Sequence, residues 1–318
     1  MSLAGHLWTI GPNLRHRMVP RAPPEATPWS SSLLDPDVGP VPLTGMLRDR
    51  PESDALCMVV HGLGGAIESQ YVIRAAQAID AAGMSCLRLA LRGADRSGAD
   101  FYHAALTADL EAALASPALA RYRRVYVLGY SLGGHVSLHL GLRRADGGPR
   151  DPRLRAIASV CAPLDLHRSR AAIDHPRRWL YRAHLLSGLR EIYAEVAARR
   201  PVPTPMSEIR RVRTIGEWDR VAIVPRFGFR DIEDYYDRAS VGPRLRALEL
   251  PSLLISATGD PMIPEDAVRP SLLGLPRHVD VRWIHGGGHV GYPSSIDLGF
   301  GPARGVEPQV LTWMQRHR

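Results

Sequence analysis

Lysine is absent from this sequence of 318 residues, and all 40 of its basic residues are arginines. The formal net charge is +8, against 32 acidic residues. An excess of basic charge favours nucleic acid or anionic membrane as a partner. The arginines are spread along the whole chain among the acids, however, which is more typical of a genome-wide compositional bias. We therefore predict no nucleic-acid partner, and peripheral contact with a membrane remains a weaker alternative.

Cysteine is also scarce, with Cys57, Cys86 and Cys161 as its three occurrences. Three cysteines cannot all pair with one another, and each lies in an apolar segment with the composition of a strand. We predict buried, reduced thiols, because free cysteine behaves as a small apolar residue. Their spacing matches no zinc site, and a better nucleophile than cysteine is available.

Long apolar runs are missing as well. No stretch approaches the roughly 18 to 20 consecutive apolar residues that a membrane-spanning helix needs. Residues 1–8 lack the basic region followed by an apolar run that marks a secretory leader. These features predict a soluble, cytoplasmic protein whose oligomeric state the sequence leaves open.

The remaining sequence alternates short apolar runs with longer amphipathic segments. Between the early runs lie helical patterns at 70–82, 102–116 and 132–144. Regular alternation of strand and helix predicts a mostly parallel sheet with helices on both faces. The six apolar runs are residues 56–60, 85–91, 125–129, 156–161, 253–257 and 279–284.

The alternation stops between residues 164 and 240, where the sequence is rich in arginine and shows helical but no strand pattern. This is too long for one loop, so we predict a helical cap inserted into a single domain of residues 1–318. The first fifty residues are rich in proline and predict an extended arm with one or two edge strands.

Ser131 is the predicted nucleophile. Residues 129–133 read Gly-Tyr-Ser-Leu-Gly, directly after an apolar strand and at the start of a helical pattern. This Gly-x-Ser-x-Gly arrangement holds a serine on a sharp turn with its hydroxyl exposed, and the small flanking residues allow the close backbone packing.

The serine needs a base, and enzymes that use this Gly-x-Ser-x-Gly turn place their triad in the chain order Ser, acid, His. His289 follows the last predicted strand within a glycine-rich loop, which suits a side chain that must reach Ser131. Asp260 follows the preceding strand and can hold the His289 tautomer that leaves Nε2 free as the base. Asp266 is the fallback acid, although it lies within a predicted helix.

An oxyanion site requires two further donors. The Leu132 amide directly follows the nucleophile, and the Leu63 amide lies in a glycine-rich turn after the first parallel strand. We interpret His61 as a structural residue of that turn, and His135 and His139 as packing residues behind Ser131. Residues 285–288 imitate the oxyanion motif of lipases, but they follow the last strand and so lie in the wrong place.

With these residues assigned, the chain resembles the YheT-like group of α/β-hydrolases, whose eukaryotic relatives include membrane-associated acylglycerol lipases. The resemblance extends over nearly the whole chain. Residues 94–98 and 223–225 depart from the group's usual sequence, which leaves the triad intact but weakens any transfer of substrate preference. The matching segments are residues 6–10, 61–65, 92–93, 102–103, 129–134, 215–219, 234–240 and 287–291.

The resemblance implies a small-molecule ester or acylglycerol substrate with an apolar acyl chain, and neither cofactor nor metal. The sequence thus predicts a serine esterase or small lipase that works through an acyl-enzyme. Thioester hydrolysis, acyl transfer and perhydrolysis remain alternatives because the same triad serves them all, and a catalytically silent binding protein is a weaker one. Tyr130 and Trp218 are the predicted substrate contacts, and the other cap aromatics, Trp179, Tyr235 and Tyr236, could pack the cap or line the acyl pocket.

Overall fold

A single eight-stranded sheet forms the centre of the computed structural model, which describes residues 3–318. Its strands are short, and β3 to β7 are almost wholly buried, as expected for a sheet covered on both faces. The strands are β1 (Thr27–Asp35), β2 (Gly39–Arg48), β3 (Ala55–Val60), β4 (Ser85–Leu89), β5 (Arg124–Tyr130), β6 (Leu154–Val160), β7 (Ser252–Ala257) and β8 (Val279–Ile284).

The strand order is β1-β2-β4-β3-β5-β6-β7-β8. The hairpin β1–β2 is antiparallel and joins β4 in antiparallel fashion, and every later pair is parallel. The predicted α/β-hydrolase architecture is confirmed, and β1 is the edge strand on the side of the hairpin. Because the carboxyl ends of parallel strands meet at one edge, the loops after β3, β5, β7 and β8 converge there.

Helices cover both faces of the sheet. In β3, Leu56 and Met58 face one core layer and Cys57 and Val59 face the other, so the strand is apolar throughout. The helices are α1 (Leu3–Met18), α2 (Gln70–Ala81), α3 (Ala108–Ala115), α4 (Leu132–Leu142), α5 (Leu166–Asp174), α6 (Trp179–Ala197), α7 (Met206–Ile209), α8 (Ile215–Trp218), α9 (Val224–Phe227), α10 (Ile232–Ala239), α11 (Glu265–Val268) and α12 (Val306–Met314).

The segment between β6 and β7 contains helices α5 to α10 and no strand, and it forms the cap. A π-helical turn at Asp219–Ile223 joins α8 to α9. Arg226 of the cap pairs with Asp100 at 2.8 Å and Asp35 at 3.1 Å, and both aspartates also bind the buried Arg92. Because buried charges need partners, this network fastens the cap to the sheet and to the β1–β2 hairpin.

The first fifty residues differ from the predicted extended arm. Residues 27–48 form the hairpin of β1 and β2, with β1 at the edge of the sheet, but Leu3–Met18 is a helix that contains Pro12. The leucines and isoleucine at 3, 7, 10 and 14 repeat at helical spacing, a pattern that the prolines farther along obscured. Within residues 3–318, no helix is both long and apolar enough to cross a membrane.

Candidate active site

Ser131 lies between the end of β5 and the start of α4, in a backbone conformation that is rare for a residue with a side chain. Its φ is 53° and its ψ is −122°. Such left-handed geometry costs energy and persists only where the surroundings enforce it, often at functional sites. The strain holds the hydroxyl away from the sheet, as expected for a serine on a strand-to-helix turn.

Glycine is required on both sides of this turn by close backbone contacts. A Cβ on Gly129 would lie 2.4 Å from the Gly133 carbonyl oxygen, and a Cβ on Gly133 would lie 2.4 Å from the carbonyl oxygens of Val60 and His61. Distances this short exclude any side chain. The turn therefore packs directly onto the end of β3, which brings Ser131 beside the predicted oxyanion turn.

The structure brings Ser131, His289 and Asp260 into one hydrogen-bonded chain. The Ser131 Oγ lies 3.0 Å from the His289 Nε2, and the His289 Nδ1 lies 2.8 Å from the Asp260 Oδ2. His289 and Asp260 are both buried, whereas Ser131 is partly exposed. A carboxylate at Nδ1 keeps the proton there and leaves Nε2 free to accept the serine proton.

Backbone contacts fix the two loops that carry the acid and the histidine. The Asp260 Oδ1 accepts hydrogen bonds from the amides of Met262 at 2.8 Å and Ile263 at 2.9 Å, so only Oδ2 faces the imidazole. The His289 amide donates to the Thr9 Oγ1 at 2.8 Å. Helix α1 thus helps to hold the loop that carries His289 from the opposite end of the chain.

The predicted oxyanion turn lies against the nucleophile. An added Cβ on Gly62 would come within 3.0 Å of the Ser131 Cβ. The hydroxyls of Tyr71 and Tyr102 accept the amides of Gly62 and Gly64 at 3.0 and 2.8 Å. Within residues 3–318, the amide of Leu63 between them has no acceptor and remains available to a ligand.

The second predicted donor, the amide of Leu132, is the first of helix α4. Amides in a first helical turn have no intrahelical partner. Leu132 and Leu63 border the same cavity as Ser131. The two predicted donors therefore lie beside the serine, as an oxyanion site requires.

Three histidines other than His289 have structural contacts. The His61 Nε2 accepts the Leu91 amide at 3.1 Å and its Nδ1 donates to the Gly62 carbonyl at 2.8 Å, which holds the oxyanion turn. Burial lowers the pKa of His61 to about 4, so the ring is neutral at pH 7. His135 and His139 are buried on α4, where each contacts the Ala239 carbonyl at the end of the cap.

An apolar cavity of about 100 Å³ opens beside Ser131 under the cap. Trp218 borders it and also packs edge-on against Phe101 and Tyr193, with ring centroids 6.5 and 5.8 Å away. Trp218 is thus both a cavity wall and a packing residue. The cavity wall includes the cap residues Leu166, Ile173, Leu185, Ile215, Trp218, Asp219, Tyr235 and Tyr236.

Asp219 is the acidic residue of this wall, and its carboxylate is buried. Burial raises the pKa of Asp219 to about 7, against an opposing hydrogen bond from Tyr236. The Tyr236 hydroxyl donates to the Asp219 Oδ2 at 2.7 Å. The bond joins the π-helical turn to α10 and shapes the cap side of the cavity.

Two predicted positions require correction. Tyr130 does not border the cavity, because strand alternation turns its ring to the opposite core layer, 4.9 Å from Tyr71, with its hydroxyl 3.3 Å from the Glu307 Oε1. We therefore withdraw it as a substrate contact. Trp179 neither packs the cap nor borders the cavity, since it is 59% exposed.

Three possible metal ligands lie together at this site, and each already has a partner. Ligand atoms of Cys161, Asp260 and His289 lie within 4.8 Å of one another. Burial raises the pKa of the Cys161 thiol far above its usual range. The Cys161 Sγ also lies 3.0 Å from the Tyr292 hydroxyl, and Asp260 and His289 already bind each other.

Comparison with known sequences agrees with this geometry. A family described as the alpha/beta hydrolase fold matches residues 58–294, from β3 to the loop beyond His289. The chain belongs to the α/β-hydrolase fold family. The matched range therefore includes Ser131, Asp260 and His289.

Individual relatives show which group within this family the chain resembles. The chain is 28% identical over 323 residues to an Escherichia coli (strain K12) protein named "Putative esterase YheT", covering 97% of this chain and 89% of that protein. It is 24% identical over 274 residues to Phospholipase ABHD3 of Mus musculus, covering 81% of this chain and 61% of that protein. The resemblance to the YheT-like group is confirmed.

Among solved structures, the α/β-hydrolase GrgF from Penicillium sp. sh18 superposes with a TM-score of 0.55. The match covers 92% of this chain and 99% of that protein at 16% sequence identity. At this identity the likeness concerns the fold alone.

The sequence-based interpretation missed the residues that position the site through hydrogen bonds to its loops. Thr9, Tyr71 and Tyr102 hold the histidine loop and the oxyanion turn through long-range bonds. Thr9 and Tyr102 lie in segments that match the YheT-like group, which was the available signal, but the match assigned them no role.

Proposed function

We propose that this protein is a serine carboxylic-ester hydrolase, an esterase or small lipase that acts on esters with an apolar acyl group. The supporting observation is the hydrogen-bonded chain from Ser131 through His289 to Asp260, whose Ser131 end borders an apolar cavity. The names of the relatives, an esterase and a phospholipase, point to the same class of substrate.

The reaction begins when the Ser131 Oγ attacks the ester carbonyl and its proton passes to the His289 Nε2. The Leu63 and Leu132 amides stabilise the oxyanion of the tetrahedral intermediate. His289 then gives its proton to the leaving alcohol, and an acyl-serine remains. Water repeats the attack with His289 as base, which releases the acid and restores Ser131.

The cavity supports an apolar acyl group as the part of the substrate that is recognised. Its walls are mainly leucine, isoleucine and aromatic side chains, and ligand sites of this kind gain most of their affinity from apolar contact. Its volume of about 100 Å³ favours a short acyl chain in this conformation.

Labelling with a fluorophosphonate tests the nucleophile directly. We expect wild-type protein to react stoichiometrically and Ser131→Ala to be unlabelled, with kcat for p-nitrophenyl butyrate lowered by about 10⁴-fold or more. Near-native hydrolysis by pure, folded Ser131→Ala would refute the assignment. A panel of p-nitrophenyl esters and monoacylglycerols of different chain lengths would then define the substrate.

A further inference from the structure

Helix α1 exposes its apolar face instead of burying it. Leu3, Leu7, Ile10, Leu14 and Met18 follow one another at intervals of three or four residues and form one stripe along the helix. Their exposed fractions lie between 46% and 77%. An amphipathic helix of a globular protein normally turns such a stripe toward the core, so this orientation calls for a physical cause.

The cause is the opposite face, which packs on the catalytic loops. A Cβ on Gly5 would lie 1.9 Å from the Gly259 carbonyl oxygen, and the buried Thr9 binds the amide of His289. Small residues thus permit close approach to both loops. The helix cannot roll its leucines inward without breaking these contacts, so the packing itself directs the stripe outward.

The cap extends this surface. Trp179 and Leu180, at the start of α6, are 59% and 55% exposed. The two helices meet where the His6 Nδ1 lies 2.6 Å from the Tyr181 hydroxyl, with the rings stacked at 5.7 Å. We name the apolar patch as the set Leu3, Leu7, Ile10, Leu14, Met18, Trp179 and Leu180.

The charge around the apolar patch is basic. Helix α1 has no acidic residue, and Arg15 and Arg21 form no ion pair with any residue of 3–318. Both arginines border a groove of about 760 Å³ beside the helix. Apolar side chains with an aromatic residue, flanked by cations, match the interface of an anionic lipid bilayer.

We propose that the apolar patch docks this protein on an anionic bilayer surface. A second copy of the chain is the less favourable occupant, because pairing two α1 helices would bring their arginines together without acids to offset them. Docking would place the active site at the membrane, since α1 contacts His289 through Thr9 and α6 contributes Leu185 to the cavity wall.

Flotation with phospholipid vesicles tests the proposal without any enzymatic readout. Full-length protein carrying Ser131→Ala is mixed with vesicles of phosphatidylcholine alone or with phosphatidylglycerol added. We expect it to float with the anionic vesicles, and the further double substitution Leu7→Glu/Leu14→Glu to lower the partition coefficient by about 100-fold. The matched control is Leu34→Glu, because Leu34 is 78% exposed on the distant edge strand β1.

Two further measurements test the contribution of the arginines and the oligomeric state of the protein. Arg15→Gln/Arg21→Gln should reduce binding to anionic vesicles and leave any weak binding to neutral vesicles unchanged. Failure of the parent protein to float, or equal flotation of the Leu7/Leu14 variant, would overturn the proposal. The proposal would also be overturned if the parent protein were a dimer and the Leu7/Leu14 variant a monomer, because the apolar patch would then bind a second copy of the chain.

Activity separates this inference from the proposed function. With Ser131 intact, the Leu7/Leu14 variant should hydrolyse a water-soluble ester at the wild-type rate, which also shows that it is folded. If the protein floats but hydrolyses no ester, docking stands and the proposed chemistry fails. If the protein hydrolyses soluble esters but does not float, the proposed chemistry stands and the docking proposal fails.

Discussion

Replacing Asp260 with asparagine should disable the base through the tautomer of His289. The Asp260 Oδ1 accepts the amides of Met262 and Ile263, so the amide oxygen of the asparagine must take that position. Its NH₂ group then faces the His289 Nδ1 and donates to it. The ring is forced to carry its proton on Nε2, the atom that has to accept the proton of Ser131.

The two backbone bonds set the size of the effect. Flipping the amide would restore the productive tautomer but would leave the partly buried amides of Met262 and Ile263 without an acceptor, at roughly 1–3 kcal/mol each. A total of roughly 2–6 kcal/mol reduces the productive arrangement by roughly 30- to 10⁴-fold. The flipped NH₂ would also face both donors, so we expect the upper part of this range, about 10³- to 10⁴-fold in kcat.

The assay is steady-state hydrolysis of p-nitrophenyl butyrate at pH 7, with folding checked by thermal unfolding. Asp266→Asn is the matched control, because Asp266 is an exposed aspartate six residues along the chain in α11. It should retain wild-type kcat. If Asp260→Asn lost less than about tenfold while folded, or if Asp266→Asn caused the larger loss, the role given to Asp260 would be refuted.

Three further predictions concern the walls and supports of the site. Trp218→Ala should shift preference toward longer acyl chains by about 10- to 200-fold per methylene in kcat/KM; an unchanged profile across p-nitrophenyl esters would leave Trp218 as packing alone. Thr9→Val should lower kcat about tenfold with little change in KM, and Thr9→Ser should restore it, because the His289 amide loses and then regains its acceptor. Folding raises the pKa of Asp219 to about 7, so its contribution to the free energy of unfolding is complete below about pH 4 and is lost as the pH rises to 7. Asp219→Asn should therefore flatten the stability profile between pH 4 and 7, and denaturant titrations that show no flattening would contradict this.

The candidate catalytic residues could be proposed from the sequence because each follows a strand with a local signature. Ser131 has glycines on both sides, Asp260 follows β7, and His289 follows β8 in a glycine-rich loop. Parallel strands present their carboxyl ends at one edge, so topology alone implies that these loops converge. The order of strands and helices was sufficient for that inference.

The orientation of single side chains was decided by the tertiary structure. Strands buried on both faces are apolar throughout and carry no alternating signal, so the sequence could not show that Tyr130 faces Tyr71 rather than the cavity. Thr9 binds the amide of a residue 280 positions away, and no local pattern encodes such a contact.

Helix α1 shows which properties follow from the local sequence and which depend on the tertiary structure. Its apolar spacing is a local property that predicts an amphipathic helix, although proline-rich sequence next to it concealed the pattern. Which face turns toward solvent depends on packing: Gly5 and Thr9 lie on the face that contacts the loops carrying Asp260 and His289. Close packing of α1 on the two loops outweighed the burial of its leucine side chains. The sequence could not show this outcome, because the contact forms between segments that are far apart along the chain.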